Sequence, residues 1–175
     1  FGLDAISAVR QLNNFGFTPK KPVIMSWSSG FEELIQLDPA ARENLIVGSN
    51  YYYTIDNPEN KKFVEAYKKK FKGVPPGYAG AAGYGLMKMT LLGMQKSGST
   101  EPQKVITALE EHKGKNFVGD FEIRGRNHQT VRPFFVLQTK KKNEMKNQYD
   151  MAEVVDVSST EQPKNINMCK DIGSF

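Results

Sequence analysis

Residues 51–84 read YYYTIDNPENKKFVEAYKKKFKGVPPGYAGAAGY, and the fold is decided there. Three tyrosines close a strand. Asn57-Pro58-Glu59 then starts a helix, with a capping side chain, a proline at the first helical position and an acid in the first turn. Phe63, Tyr67 and Phe71 recur at i, i+4 and i+8, giving an apolar stripe on a helix that runs to about Phe71 and ends at Gly73. Pro75-Pro76-Gly77 breaks the chain, and Tyr78 opens a second helix rich in small residues. The aromatics stand at junctions between elements, and no catalytic group recurs at a regular spacing. That usage suits a binding protein better than an enzyme.

Upstream, residues 4–14 carry Ala5, Ala8, Val9 and Leu12 at helical spacing, with Gly16 as the C-cap candidate. Val23-Ile24-Met25 and Leu45-Ile46-Val47 are short apolar runs suited to buried parallel strands, and a short helix with Phe31, Leu34 and Ile35 lies between them. Downstream, residues 79–97 place Leu86, Met87, Met89, Leu91, Leu92 and Met94 on nearly every face, which predicts a largely buried helix. Thr100-Glu-Pro-Gln103 resembles a capping box opening a helix to about His112. The period then changes to two. Phe117, Phe121 and Ile123 form one strand region, residues 134–139 a second and 150–157 a third, the last two joined as a hairpin by the polar turn 140–147.

The order α-β-α-β, three helices, then strands describes an α/β fold of the doubly wound kind, entered in its middle. Two short parallel strands make a poor sheet, and nothing inside the chain is expected to supply the others. The sequence therefore reads as the C-terminal part of a longer protein.

The 175 residues carry a net charge of +5 and a pI near 9.2. Between Lys61 and Lys72 stand six lysines and one glutamate, which matches the whole excess. These lysines occupy the wet face of an amphipathic helix and no arginine cluster accompanies them, so nucleic-acid binding is set aside. No apolar run is long enough to span a bilayer. The chain starts at Phe1 and not at Met, which reads as a processed end or a cut. Cys169 is the single cysteine, so an internal disulfide or a cysteine metal cage is excluded, and its pairing partner is open. His112 and His128 stand too far apart in sequence to suggest a metal site, and no cofactor motif is present. His112 reads as a helix C-terminal residue.

Taken in order, Phe1-Gly-Leu-Asp-Ala-Ile6 with Val9-Arg-Gln-Leu12 and Gly16-Phe17, Gly48 leading to the tyrosines, Asn57-Pro58 with Phe63 and Tyr67, Pro75, Tyr84, and Phe117-x-Gly119-x-Phe121 followed by Arg126-x-His128-Gln129 resemble type I periplasmic solute-binding proteins. Within that family the pattern is most like the branched-chain amino acid (Leu/Ile/Val-type) receptors of ABC transporters, and it runs from Phe1 to about Val157. The resemblance implies two doubly wound lobes joined by three crossovers, with a ligand between them. Residues 1–50 would belong to the second lobe, 51–53 to a hinge crossing and 54–116 to the first lobe. Residues 117–157 would make the return crossing and second-lobe strands, and 158–175 a tail. The first lobe's principal ligand-gripping segments are not in this chain. The implied partners are a small-molecule ligand, a membrane permease and the N-terminal part of the same protein. The implied location is periplasmic or extracellular, including a cell-surface lipoprotein.

Ser26-Trp27-Ser28-Ser29-Gly30 follows a strand and precedes a helix, at the carboxyl edge where open α/β sheets bind ligands. By resemblance this loop faces the cleft, with Trp27 as an apolar wall and the Ser26 and Ser28 hydroxyls orienting polar ligand groups. The same residues also resemble a nucleophile elbow, with Ser28 as nucleophile and Asp120 and His128 following in hydrolase order. Serines that only cap a helix are the third reading. Tyr78 stands where the family places an aromatic over the ligand. Tyr51 and Tyr53 would share one strand face, with Tyr53 the cleft candidate. The glycines from Gly77 to Gly85 lack a preceding strand and suit close helix packing better than nucleotide binding. The expected ligand is a branched-chain amino acid or a related apolar or aromatic acid. A serine hydrolase and a cytosolic ligand-sensing regulator of the same fold are the alternatives.

Overall fold

The computed structural model describes residues 2–25, 30–125 and 127–161. Helix α1 (Leu3–Asn14) buries Ile6 and Val9. It stops at Gly16, whose φ of 68° lets its N–H donate to Asn13 O at 2.8 Å while the Phe17 N–H donates to Leu12 O at 2.9 Å. Strand β1 (Val23–Met25), helix α2 (Phe31–Leu34) and strand β2 (Leu45–Ser49) follow. Helices α3 (Pro58–Lys70), α4 (Tyr78–Ser97) and α5 (Pro102–Leu109) come next without strands between them. The chain then makes β3 (Lys113–Asn116), β4 (Gly119–Ile123), β5 (Thr130–Val131), β6 (Pro133–Thr139) and β7 (Ala152–Ser159).

Among the described residues there are two sheets. The larger has the order β1-β2-β6-β7, and the smaller β3-β4-β5. β1 and β2 are parallel, pairing Val23 with Leu45 and Met25 with Val47. β6 then joins β2 antiparallel, with Val47 opposite Leu137 and Ser49 opposite Phe135. The expectation that the chain supplies no partners for its two parallel strands is therefore corrected: β6 and β7 complete the sheet by pairing antiparallel, which a polar hairpin allows without a crossover helix. Leu45, Val47, Phe135 and Leu137 all face one side, where they meet the α1 and α2 residues Ile6, Val9, Phe31 and Leu34 in one buried cluster.

Several local expectations also shift. The tyrosines lie beyond the end of β2 rather than within it, so period-two alternation does not govern them. Phe117 and Val118 form the two-residue turn between β3 and β4 instead of a strand. Thr100 does not cap α5. Its N-cap is Glu101 without a side-chain cap bond, and Pro102 occupies the first turn. α5 ends at Leu109, so His112 lies past it, packed on the Phe121 ring at 5.4 Å. The largest departure concerns α4, which is not buried: Leu86, Met87 and Leu91 are 71%, 60% and 55% exposed. α5 covers only the Gly93 side of α4, and Phe63 and Phe117 only the Tyr84 side.

Candidate functional site

The chain crosses from β2 to α3 through a tightly bonded segment. Ser49 Oγ donates to Tyr51 O at 2.8 Å, and the Tyr51 hydroxyl donates to Asn60 Oδ1 at 2.8 Å. The Asn60 amide donates to Tyr53 O at 3.1 Å and Ile55 O at 2.9 Å. One fully buried amide on the first turn of α3 thus holds three points of the crossing. Asn57 caps the same helix by accepting from the Glu59 N–H at 2.8 Å, and its own amide donates to Asn116 O at 2.9 Å. The start of α3 is tied in this way to the end of β3.

The three tyrosines serve two aromatic clusters. Tyr51 packs on Phe63 and Phe117, and Tyr84 joins them by stacking on Phe63 at 4.4 Å and meeting Phe117 at 5.3 Å. Tyr53 meets Phe31 at 5.9 Å and Tyr52 at 5.0 Å, and its hydroxyl donates to Tyr149 O at 2.8 Å. Burial raises all three phenols above their ordinary value, Tyr53 to about 12, so each stays neutral at physiological pH.

Beside this crossing, at the carboxyl ends of β1 and β2, residues from α2 meet the entrance of α4. A methyl group placed on Gly30 would stand 3.3 Å from Ser49 Oγ and 3.6 Å from the Tyr78 ring. The Gly30 N–H donates to Glu33 Oε2 at 3.0 Å, and the Tyr78 hydroxyl reaches Glu33 Oε1 at 3.4 Å. Burial raises the Glu33 carboxyl above its ordinary range, against the Gly30 bond that lowers it. Burial and then the Glu33 charge raise the Tyr78 phenol. Glu32 accepts from the Tyr78 N–H at 3.2 Å and the Ala79 N–H at 3.0 Å.

Of the residues expected to touch a ligand, Ser26, Trp27 and Ser28 lie outside the described residues. Gly30, which follows that stretch in the sequence, sits against the Tyr78 ring. Tyr78 also borders a cavity of about 380 Å³, with Tyr51, Met89, Phe117 and Arg132 on its other walls. Tyr53 does not line that cavity. A larger concavity of about 610 Å³ runs past Lys113, Lys115, Asp120 and Glu122, which pair with one another across its floor. It is an open, self-neutralised surface rather than a cleft.

The triad order is not assembled among the described residues, because Asp120 pairs with Lys115 at 3.4 Å while His128 Nε2 meets Glu110 Oε1 at 2.8 Å. Among the same residues no group of three or more His, Cys, Asp or Glu side chains gathers to hold a metal ion, and no helix is long and apolar enough to cross a membrane. Within the glycine run, Gly80 and Gly85 pack closely, whereas Gly83 faces open space. A methyl on Gly80 would meet the Tyr67 ring at 3.1 Å, and one on Gly85 the Phe117 ring at 3.3 Å. Asn60 and Glu32 are the functional candidates that sequence reasoning missed. The only local hint was an asparagine one turn before Phe63 on the apolar face of α3.

A mixed sheet with parallel strands ending at a two-sided junction defines an α/β ligand-binding fold. A family model for periplasmic binding proteins matches residues 1–144, and the chain belongs to that family. The amino acid ABC transporter substrate-binding protein from Pseudomonas fluorescens Pf-5 matches with a TM-score of 0.90 at 27% identity, over 98% of this chain and 46% of that one. A branched-chain amino acid ABC transporter periplasmic ligand-binding protein from Burkholderia xenovorans LB400 matches with a TM-score of 0.76 at 21% identity, over 90% and 41%. A solute-binding protein of an ABC transporter from Rhodopseudomonas palustris BisB5, in complex with 3,4-dihydroxybenzoic acid, matches with a TM-score of 0.72 at 18% identity, over 91% and 43%. The chain thus spans a little under half the length of these structures. A search among curated proteins returned no match.

Proposed function

We propose that this chain is part of the extracytoplasmic solute-binding component of an ABC importer, without catalytic activity of its own. In this reading residues 1–50 and 117–157 belong to one lobe and residues 54–116 to the other, with the tyrosines at 51–53 crossing between them. Hinge closure captures a small molecule, and the closed form is presented to a membrane permease. The observation that carries the reading is the meeting of Gly30 and Glu33 with Tyr78, two segments far apart in sequence, at the carboxyl ends of β1 and β2. Ser26, Trp27 and Ser28 supply one wall of the mouth and Tyr78 the other. Tyr53 serves the hinge, since its hydroxyl donates to Tyr149 O and its ring packs against Phe31 and Tyr52.

Aromatic walls suit a branched-chain amino acid or a related apolar or aromatic acid. The exposed apolar face of α4 is where the rest of the first lobe packs. Titration calorimetry of the full-length protein with leucine, isoleucine, valine and 3,4-dihydroxybenzoate tests the proposal. Saturable binding of at least one is expected, weakened roughly tenfold or more by Trp27→Ala and by Tyr78→Ala, since a buried aromatic contact contributes about 1.5 kcal/mol or more. Absence of binding across the panel, or unchanged affinity in both variants, contradicts it.

A further inference from the structure

α4 begins without a cap of its own. Its N-cap residue is Gly77, and its first turn contains no acid. A 20-residue helix in this state leaves its first N–H groups and the positive end of its dipole to be satisfied from elsewhere. The partner is Glu32, on α2. One carboxylate oxygen accepts from Tyr78 N–H at 3.2 Å and the other from Ala79 N–H at 3.0 Å, so the cap comes from a residue 46 and 47 positions upstream of the two donors. Gly77 makes room for it: a methyl group there would stand 2.0 Å from Glu32 Cδ. Gly77 has φ −92° and ψ −174°, a conformation open to alanine, so that clash concerns the carboxylate alone.

We propose that Glu32 is a closure latch, its carboxylate seated on the N-terminus of α4 only when the half carrying α1, α2 and the larger sheet is closed against the half carrying α3 and α4. This rests on the two-lobe reading given above and adds to it a residue that need not touch the solute. The two charge-assisted bonds form between elements that hinge opening would separate, so they favour the closed arrangement even without solute. Tyr78 still borders the cavity.

Pulsed electron spin distance measurement on the full-length protein tests this. The parent carries Cys169→Ser, with spin labels at Gln11→Cys on α1 and Lys62→Cys on α3, both exposed and remote from the latch. Without solute, the closed population should fall about fivefold in Glu32→Gln, which removes the charge from the helix end. Gly77→Ala, which displaces the carboxylate without removing it, should produce the same shift. If either variant keeps the parent's distances while leucine, isoleucine, valine or 3,4-dihydroxybenzoate moves the parent's, Glu32 is only a fixed helix cap. The latch is then overturned and the solute-binding reading stands. A single unchanging distance in every sample, with and without that panel, overturns the hinge itself and the latch with it.

Discussion

Asn60 shows how one side chain can organise a crossing. It has 0% exposure, accepts from the Tyr51 hydroxyl and donates to two carbonyls of the segment that follows β2. Asn60→Ala would leave a buried hydroxyl and two buried carbonyls without that partner, and the expected loss is about 2–4 kcal/mol. Urea unfolding of the parent and variant measures it, and a loss within about 0.5 kcal/mol would show that the crossing is held by packing alone. Asn57, three residues earlier, was legible because its cap partners are the next residues of its own helix. Asn60 was not, because its partners belong to a segment that only the fold brings back. Glu32 escaped notice for the same reason, as its N–H partners lie on another helix.

At the scale of elements, residues with local causes were readable and residues with distant causes were not. The left-handed stop at Gly16, the Asn57-Pro58 start of α3 and the β6–β7 hairpin all follow from short-range chemistry. The β3–β4 hairpin was missed because Lys113 and Lys115 face solvent and pair with Glu122 and Asp120, leaving little apolar alternation. α4 shows that periodicity measures apolar content and not burial. Leu86, Met87 and Leu91 look like core in the sequence, yet no described element covers them. The glycines of α4 separate the two effects experimentally. Gly83 has nothing within 4 Å of an added methyl, so Gly83→Ala should stabilise this 175-residue chain by about 0.5–1 kcal/mol through helix propensity. A methyl on Gly93 would stand 2.8 Å from Val105 Cγ1 and 3.0 Å from Leu109, so Gly93→Ala should destabilise by about 1–3 kcal/mol. Thermal unfolding of the two variants reads the opposite signs, and stabilisation by Gly93→Ala would mean that α4 and α5 do not pack as described.

For the whole molecule, the α/β class and the family were both legible, because the order of helices, glycines and aromatics is spread over most of the chain, and a periplasmic binding protein model matches residues 1–144. The sheet was legible in its parallel pair and its hairpin but not as a whole, since nothing local to β2 announces that β6 joins it antiparallel. Of the proposed site, the fold sets Gly30 against the Tyr78 ring, a contact between distant segments that no local pattern announces. A crystal structure of the full-length protein soaked with the tightest-binding member of the amino acid and hydroxybenzoate panel tests the central claim most directly. The solute should lie in van der Waals contact with the Tyr78 ring and with the loop between Met25 and Gly30. A solute seated elsewhere, such as the concavity beside Lys113 and Glu122, with Tyr78 untouched, would contradict it.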